Sequence, residues 1–176
     1  MPSLTLRLAR TADIRPIAEM SRWLIEVGLR GWSWNPARVA AAVRHRECCV
    51  VVAESRRRFT GFAIGEFGES RVHLSLLAVD PAQQRKGIGR ALVAWLEASA
   101  LTAGIGEMHL ELRTNNQAAR YFYQSLGFAQ TRSMPGYYRG EESALHMRKV
   151  LGAAAPDAAE TAAAIYEKLF KIKYLR

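Results

Sequence analysis

The sequence predicts an α/β protein of the α+β kind, in which a mixed, mostly antiparallel central sheet is flanked by helices. Residues 48–54, 59–67 and 71–79 alternate or run apolar as three successive strands, and the short polar connections between them are typical of an antiparallel meander. A basic, glycine-containing turn at 84–90 then leads directly into an amphipathic helix. One more strand, a helix and two closing strands are predicted between residues 108 and 150.

The segment before the meander supplies one strand and two helices. Residues 4–10 alternate as a strand, and Thr11 is expected to cap a helix that runs to about Gly28. Asn35-Pro36 matches an N-cap followed by proline at the first helical position, so a second helix is expected to reach about His45.

After the turn, apolar residues recur at helical spacing from Ile88 to Leu96, which predicts a helix that ends near Gly104. Residues 108–113 are expected to form a strand and residues 116–126 a helix, with Gly127 as its C-terminal stop. The closing strands are predicted at 128–134 and 144–150, around a loop at 135–138.

The length and composition indicate a single globular domain with a short extension. The chain has 176 residues, of which 49% are hydrophobic and 9% aromatic, enough to bury a full core. Residues 1–150 are assigned to the domain, and residues 151–176 to a linker followed by an amphipathic helix. That helix either folds back on its own domain or contacts a partner, so a homodimer is left open.

Apolar runs are too short for a membrane span, and the N-terminal segment lacks the apolar block of a signal peptide, so a cytoplasmic protein is expected. The net charge of +9 raises nucleic acid as a partner, but the basic residues are dispersed along the chain, which argues against it. Cys48 and Cys49 have the composition of a buried strand, and the four histidines have no metal-ligand spacing. We therefore expect no metal.

The turn at Gln84-Arg85-Lys86-Gly87-Ile88-Gly89-Arg90 is the strongest chemical signal. It presents backbone amides and cationic side chains at the positive end of a helix dipole, where a phosphate group binds well. Its glycines stand where a side chain would keep a phosphate from the backbone. The turn lacks the lysine position of a P-loop, and the antiparallel strands before it do not fit a dinucleotide fold.

The chain resembles the GNAT superfamily of acetyl-CoA-dependent N-acetyltransferases over residues 4–150. The resemblance is carried by the strand end at 77–81, the [Q/R]-x-x-G-x-[G/A] turn at 84–89 and the segment 110–128. The last segment, with Tyr137-Tyr138 downstream, is most similar to the branch that acetylates the N-terminal alanine of a ribosomal protein. The resemblance implies acetyl-CoA as donor and direct transfer to a primary amine in a ternary complex.

The resemblance also implies which residues bind the donor. The turn amides would hold the pyrophosphate, the end of the third meander strand would pair with the pantetheine arm, and an asparagine would hydrogen-bond that arm. The residues implied are Leu77, Ala78, Val79, Gln84, Arg85, Lys86, Gly87, Ile88, Gly89, Arg90 and Asn116.

Two residues are implied to move protons: Tyr123, seven positions after Asn116, as general acid, and Glu111 as general base. An ammonium must lose a proton before it attacks a thioester, and the leaving thiolate must gain one, so both residue types suit the reaction. The alternatives are that Tyr123 is only a core residue, that Glu111 pairs with Arg113 on the same strand face, and that Asn116 is only a helix cap.

The resemblance places Trp32, Trp34, Tyr137 and Tyr138 around the mouth for the acceptor, with packing of their own loops as the alternative. The acceptor itself stays open among a protein N-terminus, a lysine and a small amine. Two other functions are kept beside the enzyme: a CoA-binding sensor without catalysis, and an RNA- or ribosome-binding module suggested by the net charge of +9.

Overall fold

The computed structural model describes residues 4–138, 140 and 142–152. This part of the chain forms one seven-stranded sheet with four α-helices packed on it. The strands are β1 (Leu4–Leu8), β2 (Cys48–Ser55), β3 (Arg58–Phe67), β4 (Val72–Val79), β5 (Glu107–Arg113), β6 (Ala129–Tyr138) and β7 (Glu142–Val150). The helices are α1 (Ile14–Leu24), α2 (Pro36–Arg44), α3 (Ile88–Thr102) and α4 (Gln117–Ser125).

The strand order across the sheet is β1-β2-β3-β4-β5-β7-β6, and the neighbours are antiparallel except for the parallel pair β4 and β5. Strands β2, β3 and β4 follow the chain as a meander because their connections are short, whereas β1 pairs with β2 across a connection that contains α1 and α2. Helix α3 is the crossover that makes β5 parallel to β4. The predicted mixed, mostly antiparallel sheet is therefore confirmed.

Two apolar cores lie on opposite faces of this sheet, as its period-2 alternation requires. Leu92 and Leu96 of α3 are fully buried on one face with Val51 and Met108, and α4 adds residues to the same cluster. Ile17 of α1 and residues of α2 cover the other face. Cys49 belongs to the α3 side of the core, so the predicted buried-strand role of this cysteine is confirmed.

The helix starts show which capping predictions were right. Asn35 caps α2, because its Oδ1 accepts a hydrogen bond from the Arg38 amide at 3.0 Å. The prediction for Thr11 was wrong: residues Thr11–Asp13 form a 3₁₀ turn, and α1 begins only after Asp13. The Asp13 carboxylate accepts from the Arg10 amide at 2.6 Å and organises this entry instead.

Two boundaries also differ from the prediction. Helix α1 ends at Leu24 rather than near Gly28, and residues 25–35 form a loop. The segment 135–138 is not a loop but the end of β6, and a register shift between Met134 and Tyr138 accommodates it. Gly136 makes this possible, because its φ of +65° is costly for other residues.

Among the described residues, no helix is long and apolar enough to span a membrane. The predicted linker and C-terminal helix at 153–176 lie outside the described residues, so the division of the chain at residue 150 stays a prediction.

Candidate active site

The sheet opens between β4 and β5. Within the described chain, these parallel strands are in register only at Val72 opposite Met108 and at His73 opposite His109. Towards their C-terminal ends the strands separate, so the β4 edge near Val79 has no β5 partner. A strand edge of this kind can pair with an extended ligand through its backbone groups.

The turn that follows β4 is held in shape by its own side chains. Asp80 Oδ1 accepts from the Ala82 amide at 2.9 Å, and Gln84 Nε2 donates to the Val79 carbonyl at 3.1 Å. Lys86 Nζ donates to the Ala82 carbonyl at 3.1 Å. The turn is therefore ordered by hydrogen bonds within itself.

The start of α3 presents free backbone amides at this turn. Arg85 and Gly87 have φ of +64° and +82°, and this left-handed backbone reverses the chain into the helix. The Ala91 amide donates to the Gly87 carbonyl at 3.0 Å as the first intrahelical bond, so the amides of residues 88–90 have no partner within the helix. These amides and the helix dipole suit an anionic group.

The two glycines of the turn have different roles. A Cβ at Gly87 would have no atom within 4 Å, so this position faces open space where a ligand can approach the backbone. A Cβ at Gly89 would lie 3.2 Å from Cζ of Phe122, so this glycine lets α4 pack close to α3. The backbone at Gly87 thus faces open space, whereas Gly89 brings α4 next to the turn, and contact of either glycine with a phosphate stays a prediction.

Helix α4 carries the next two predicted residues. Asn116 caps it, because Oδ1 accepts from the Ala119 amide at 3.1 Å. Its side chain is exposed, and its amide NH₂ can still donate to a ligand. Tyr123 is 9% exposed and packs edge-on against Phe122 and Phe128. Burial raises the pKa of its phenol above the usual value, and the nearby Tyr138 raises it further, so Tyr123 is protonated at neutral pH.

Glu111 of β5 lies on the opposite face of the sheet from Leu110 and Leu112. Its carboxylate is 14% exposed; Oε2 accepts from Nε2 of His73 at 2.5 Å, and Oε1 lies 3.9 Å from Nε2 of His146. Burial alone would raise the Glu111 pKa, but the hydrogen bond from His73 and the surrounding positive charge lower it below its ordinary value. Glu111 is therefore ionised at neutral pH.

The alternative that Glu111 pairs with Arg113 is wrong. The Arg113 guanidinium donates to the backbone carbonyls of Ile25 and Val27, at 3.1 and 2.7 Å, and its Nε lies 3.4 Å from Glu142. Arg113 therefore ties the loop after α1 to the end of β5, beside the opening of the sheet.

The four aromatic residues predicted around the acceptor mouth divide into two pairs. Tyr137 and Tyr138 lie beside Glu111: burial and then the charge on Glu111 raise the pKa of the Tyr137 phenol, and the same charge contributes to the rise of the Tyr138 pKa to about 12, which burial mainly causes. Trp34 is only 8% exposed and belongs to the core, so it fits the alternative that this residue packs its own loop. Trp32 is half-buried, with the Arg22 guanidinium 4.9 Å from its ring centre.

Sequence reasoning missed the histidines around Glu111, because it tested them only for metal spacing. His73 and His146 come from β4 and β7, the latter directly opposite Glu111 in register. His146 Nε2 in turn lies 3.1 Å from Nδ1 of His109, so three histidines share one polar face. No group of three or more His, Cys, Asp or Glu residues in the described ranges is arranged to hold a metal. The period-2 alternation of β5, which puts His109 and Glu111 on the same strand face, was the sequence signal that could have indicated this polar cluster.

Glu26 is a second residue that the sequence did not single out. It is 7% exposed, and its carboxylate accepts from the amides of Ser33 and Trp34 at 2.6 and 2.9 Å and from the Ser21 hydroxyl at 3.2 Å. These bonds close the loop at residues 25–35 on the same face of the sheet as Glu111.

The profile of the Acetyltransferase (GNAT) family matches residues 15–128. The chain belongs to this family. A curated relative, the [Ribosomal protein bS18]-alanine N-acetyltransferase of Salmonella typhimurium, is 38% identical over 146 residues, which cover 81% of this chain and 95% of the relative. The predicted family, and with it an acetyl-CoA-dependent N-acetyltransferase, is thereby confirmed.

Solved GNAT structures support the same assignment. The ribosomal-protein-S18-alanine N-acetyltransferase from Escherichia coli aligns with a TM-score of 0.72 and 25% identity, covering 88% of this chain and 98% of that one. An acetyltransferase from Salmonella typhimurium, solved with its cofactor acetyl-CoA, aligns with a TM-score of 0.71 and 28% identity over 89% of this chain and 99% of that one. The predicted GNAT-like fold is confirmed.

Proposed function

We propose that this GNAT enzyme acetylates the α-amine of a protein N-terminus in the opening between β4 and β5. The observation that carries the proposal is the ionised Glu111 carboxylate, with Tyr137 and Tyr138 beside it, on the sheet next to that opening. The 38% identity with an alanine N-acetyltransferase of a ribosomal protein supports an N-terminal alanine as the acceptor.

The donor residues fit acetyl-CoA in three places. The amides of residues 85–90 and the open space at Gly87 accept a pyrophosphate, and the β4 edge at Leu77–Val79, which has no β5 partner, accepts the pantetheine amides as an added strand. Asn116 can donate its side-chain NH₂ to the same arm while its oxygen caps α4. When bound, acetyl-CoA supplies an activated acetyl group as a thioester.

Glu111 is assigned to receive the proton of the acceptor. An α-ammonium has a pKa of roughly 8, so at neutral pH most of it is protonated and cannot attack a thioester. Glu111 is ionised and its side chain is 14% exposed, and its Oε1 lies 3.9 Å from Nε2 of His146, beyond hydrogen-bond distance. It is therefore the acceptor for that proton.

Tyr123 is assigned to protonate the departing CoA thiolate. Its burial keeps the phenol neutral, which is the form that donates a proton, and α4 holds it about two turns from the Asn116 cap. A general acid of this kind contributes about 10²–10⁴ to the rate.

An acceptor comparison tests the proposal. Three acceptors are offered with acetyl-CoA: a peptide that begins with alanine, the same peptide with a blocked N-terminus and an internal lysine, and free L-alanine. We expect CoA release with the first peptide to exceed that with the other two by at least about tenfold, since a site for a peptide N-terminus gains contacts that a free amino acid lacks. Faster reaction of the blocked peptide or of free alanine would contradict an N-terminal acceptor.

A further inference from the structure

His73 is placed against Glu111 by an irregularity in β4. Ile64 pairs with Leu76 and Gly65 pairs with Leu74, so Ser75 is an extra residue of β4 in a β-bulge. The bulge turns the Ser75 hydroxyl towards the neighbouring histidine, whose Nδ1 lies 3.1 Å from Oγ.

A chain of hydrogen bonds therefore runs across three strands. The Ser75 hydroxyl donates to Glu66 Oε1 at 2.6 Å, His73 Nδ1 contacts the same hydroxyl, and His73 Nε2 contacts Glu111 Oε2 at 2.5 Å. Glu66 is exposed, and the His73 side chain is 38% exposed. These hydrogen bonds thus connect the partly buried carboxylate of Glu111 with solvent.

The hydrogens of this chain can be counted from the chemistry of its members. The single hydroxyl hydrogen of Ser75 is donated to Glu66, so Ser75 Oγ accepts from Nδ1–H of His73. An ionised Glu111 can only accept, so Nε2 donates as well. Both ring nitrogens carry hydrogen, and His73 is an imidazolium in this arrangement.

The same contacts fix the tautomer of the neutral ring. When His73 loses a proton to solvent, Ser75 Oγ continues to accept from Nδ1–H, because the Ser75 hydroxyl still donates its only hydrogen to the Glu66 carboxylate. The lone pair is then on Nε2 and faces Glu111. A histidine oriented by a hydrogen bond at one nitrogen is prepared to accept a proton at the other.

The pKa of Glu111 is poorly matched to the pKa of the acceptor amine. The hydrogen bond from His73 lowers its pKa below the ordinary glutamate value, several units below an α-ammonium near 8. The same hydrogen bond raises the pKa of His73 above its ordinary 6.5. The imidazole is therefore much closer in proton affinity to the amine than the carboxylate is.

We propose that His73 is the positioning residue that takes the proton of the acceptor amine from Glu111, in a relay oriented by Ser75 and Glu66. This inference rests on the proposed function of Glu111. An N–H bond of the ammonium breaks as an O–H bond forms at Glu111, and the electron pair of the broken N–H bond stays on the amine nitrogen. The carboxyl group turns about its Cγ–Cδ bond to bring this hydrogen to His73, where the O–H bond breaks as an N–H bond forms at Nε2. The imidazolium then releases the proton to solvent.

Other charged groups face this pair from the surrounding strands. Glu66 raises the pKa of His73 and Arg71 lowers it. His146 and Arg132 lower the pKa of Glu111. The groups that face the pair are Glu66 of β3, Arg71 before β4, Arg132, Tyr137 and Tyr138 of β6, and His146 of β7. The relay stands on the bonds of His73 to Glu111 and Ser75, which none of these groups replaces.

The test is the pH dependence of kcat with acetyl-CoA and the alanine peptide, for the wild type, His73→Gln, Ser75→Ala and Glu111→Gln. Glutamine at position 73 keeps an N–H donor for Glu111 but cannot take up a proton and pass it on. We expect kcat of His73→Gln at pH 7 to fall about 10–100-fold and then to rise about tenfold per pH unit, because hydroxide must take the proton. The wild type is expected to reach a plateau above the His73 pKa.

The KM for the peptide and the affinity for acetyl-CoA are expected to stay within about twofold, because His73 acts on proton transfer rather than on binding. Ser75→Ala keeps the imidazole and its contact with Glu111, and its kcat is expected to fall about tenfold through loss of the oriented tautomer. If His73→Gln does not fold, the kcat of Ser75→Ala tests the relay in its place. His45→Gln, at the exposed end of α2, is the control and should behave as the wild type.

The outcomes separate the two proposals. An unchanged kcat and pH profile in both His73→Gln and Ser75→Ala, with Glu111→Gln inactive, would overturn the relay and leave Glu111 as the base. Full activity of Glu111→Gln would instead overturn the assignment of the base in the proposed function. Loss of the plateau in His73→Gln, with Glu111→Gln inactive, supports both.

Discussion

Replacing Tyr123 by phenylalanine removes one oxygen atom and tests whether the buried phenol is a general acid. The side chain is 9% exposed, and its ring lies 5.1 Å from the ring of Phe122 and 5.6 Å from that of Phe128. Phenylalanine keeps both ring contacts, so the free energy of unfolding should change by no more than about 1 kcal/mol. A loss of activity would then report on the hydroxyl group.

The expected loss follows from proton transfer. Without the Tyr123 hydroxyl, the CoA thiolate must leave unprotonated or take its proton from water, and kcat should fall about 10²–10⁴-fold. This corresponds to about 2.7–5.4 kcal/mol of transition-state stabilisation. The proposed donor site at residues 84–90 is untouched, so the Kd for acetyl-CoA should stay within about twofold.

The assay is steady-state CoA release with the alanine peptide, together with acetyl-CoA binding by calorimetry and unfolding in urea. Tyr121→Phe is the matched control: the residue is two positions away on the same helix and 63% exposed, so its hydroxyl should be dispensable. A Tyr123→Phe enzyme with wild-type kcat would refute the role of Tyr123. Equal losses in both variants would point to a change in α4 instead.

Three further predictions concern the turn and the stability of the fold. Gly87→Ala should weaken acetyl-CoA binding more than tenfold, because the methyl group would project over the ligand and the backbone at φ +82° would be strained by about 1 kcal/mol. The control Gly104→Ala, at φ +76°, should lose similar stability but bind acetyl-CoA as the wild type does. Asp13→Asn should cost about 1.5–3 kcal/mol at pH 7. Because the folded-state pKa of Asp13 is lowered, this difference should vanish as the pH falls from about 4 through that lowered pKa, measured by urea unfolding. The double variant Arg56→Asn/Arg57→Gly should raise the unfolding free energy by about 1 kcal/mol, since both arginines have positive φ in a two-residue hairpin, and no gain in urea midpoint would contradict this.

The elements of the fold could be predicted largely from local signals. The alternation of β2 to β4, the Asn35-Pro36 helix start and the period of α3 each depend on residues close in sequence, and each was confirmed within a few positions. The end of β6 was missed because Pro135 and Gly136 are typical of a loop, and here a register shift accommodates them within a strand.

The neighbours of the site residues could not be predicted in the same way. Glu111 and Arg113 share a strand face, yet Arg113 bonds to carbonyls 86 and 88 residues away, and Glu111 meets a histidine 38 residues away. These contacts depend on the strand order and on the bulge at Ser75, which no local pattern encodes. The family resemblance predicted which positions carry the candidate site residues, whereas the residues that they contact follow only from the fold.

The central claim is direct transfer from acetyl-CoA to the α-amine of a protein N-terminus. Mass spectrometry of a peptide that begins with alanine and contains an internal lysine, after incubation with enzyme and acetyl-CoA, tests it most directly. We predict one acetyl group, on the α-nitrogen, with one CoA released per peptide modified. Acetyl-CoA binding without any acetylated peptide, or acetylation only at the lysine, would contradict the claim.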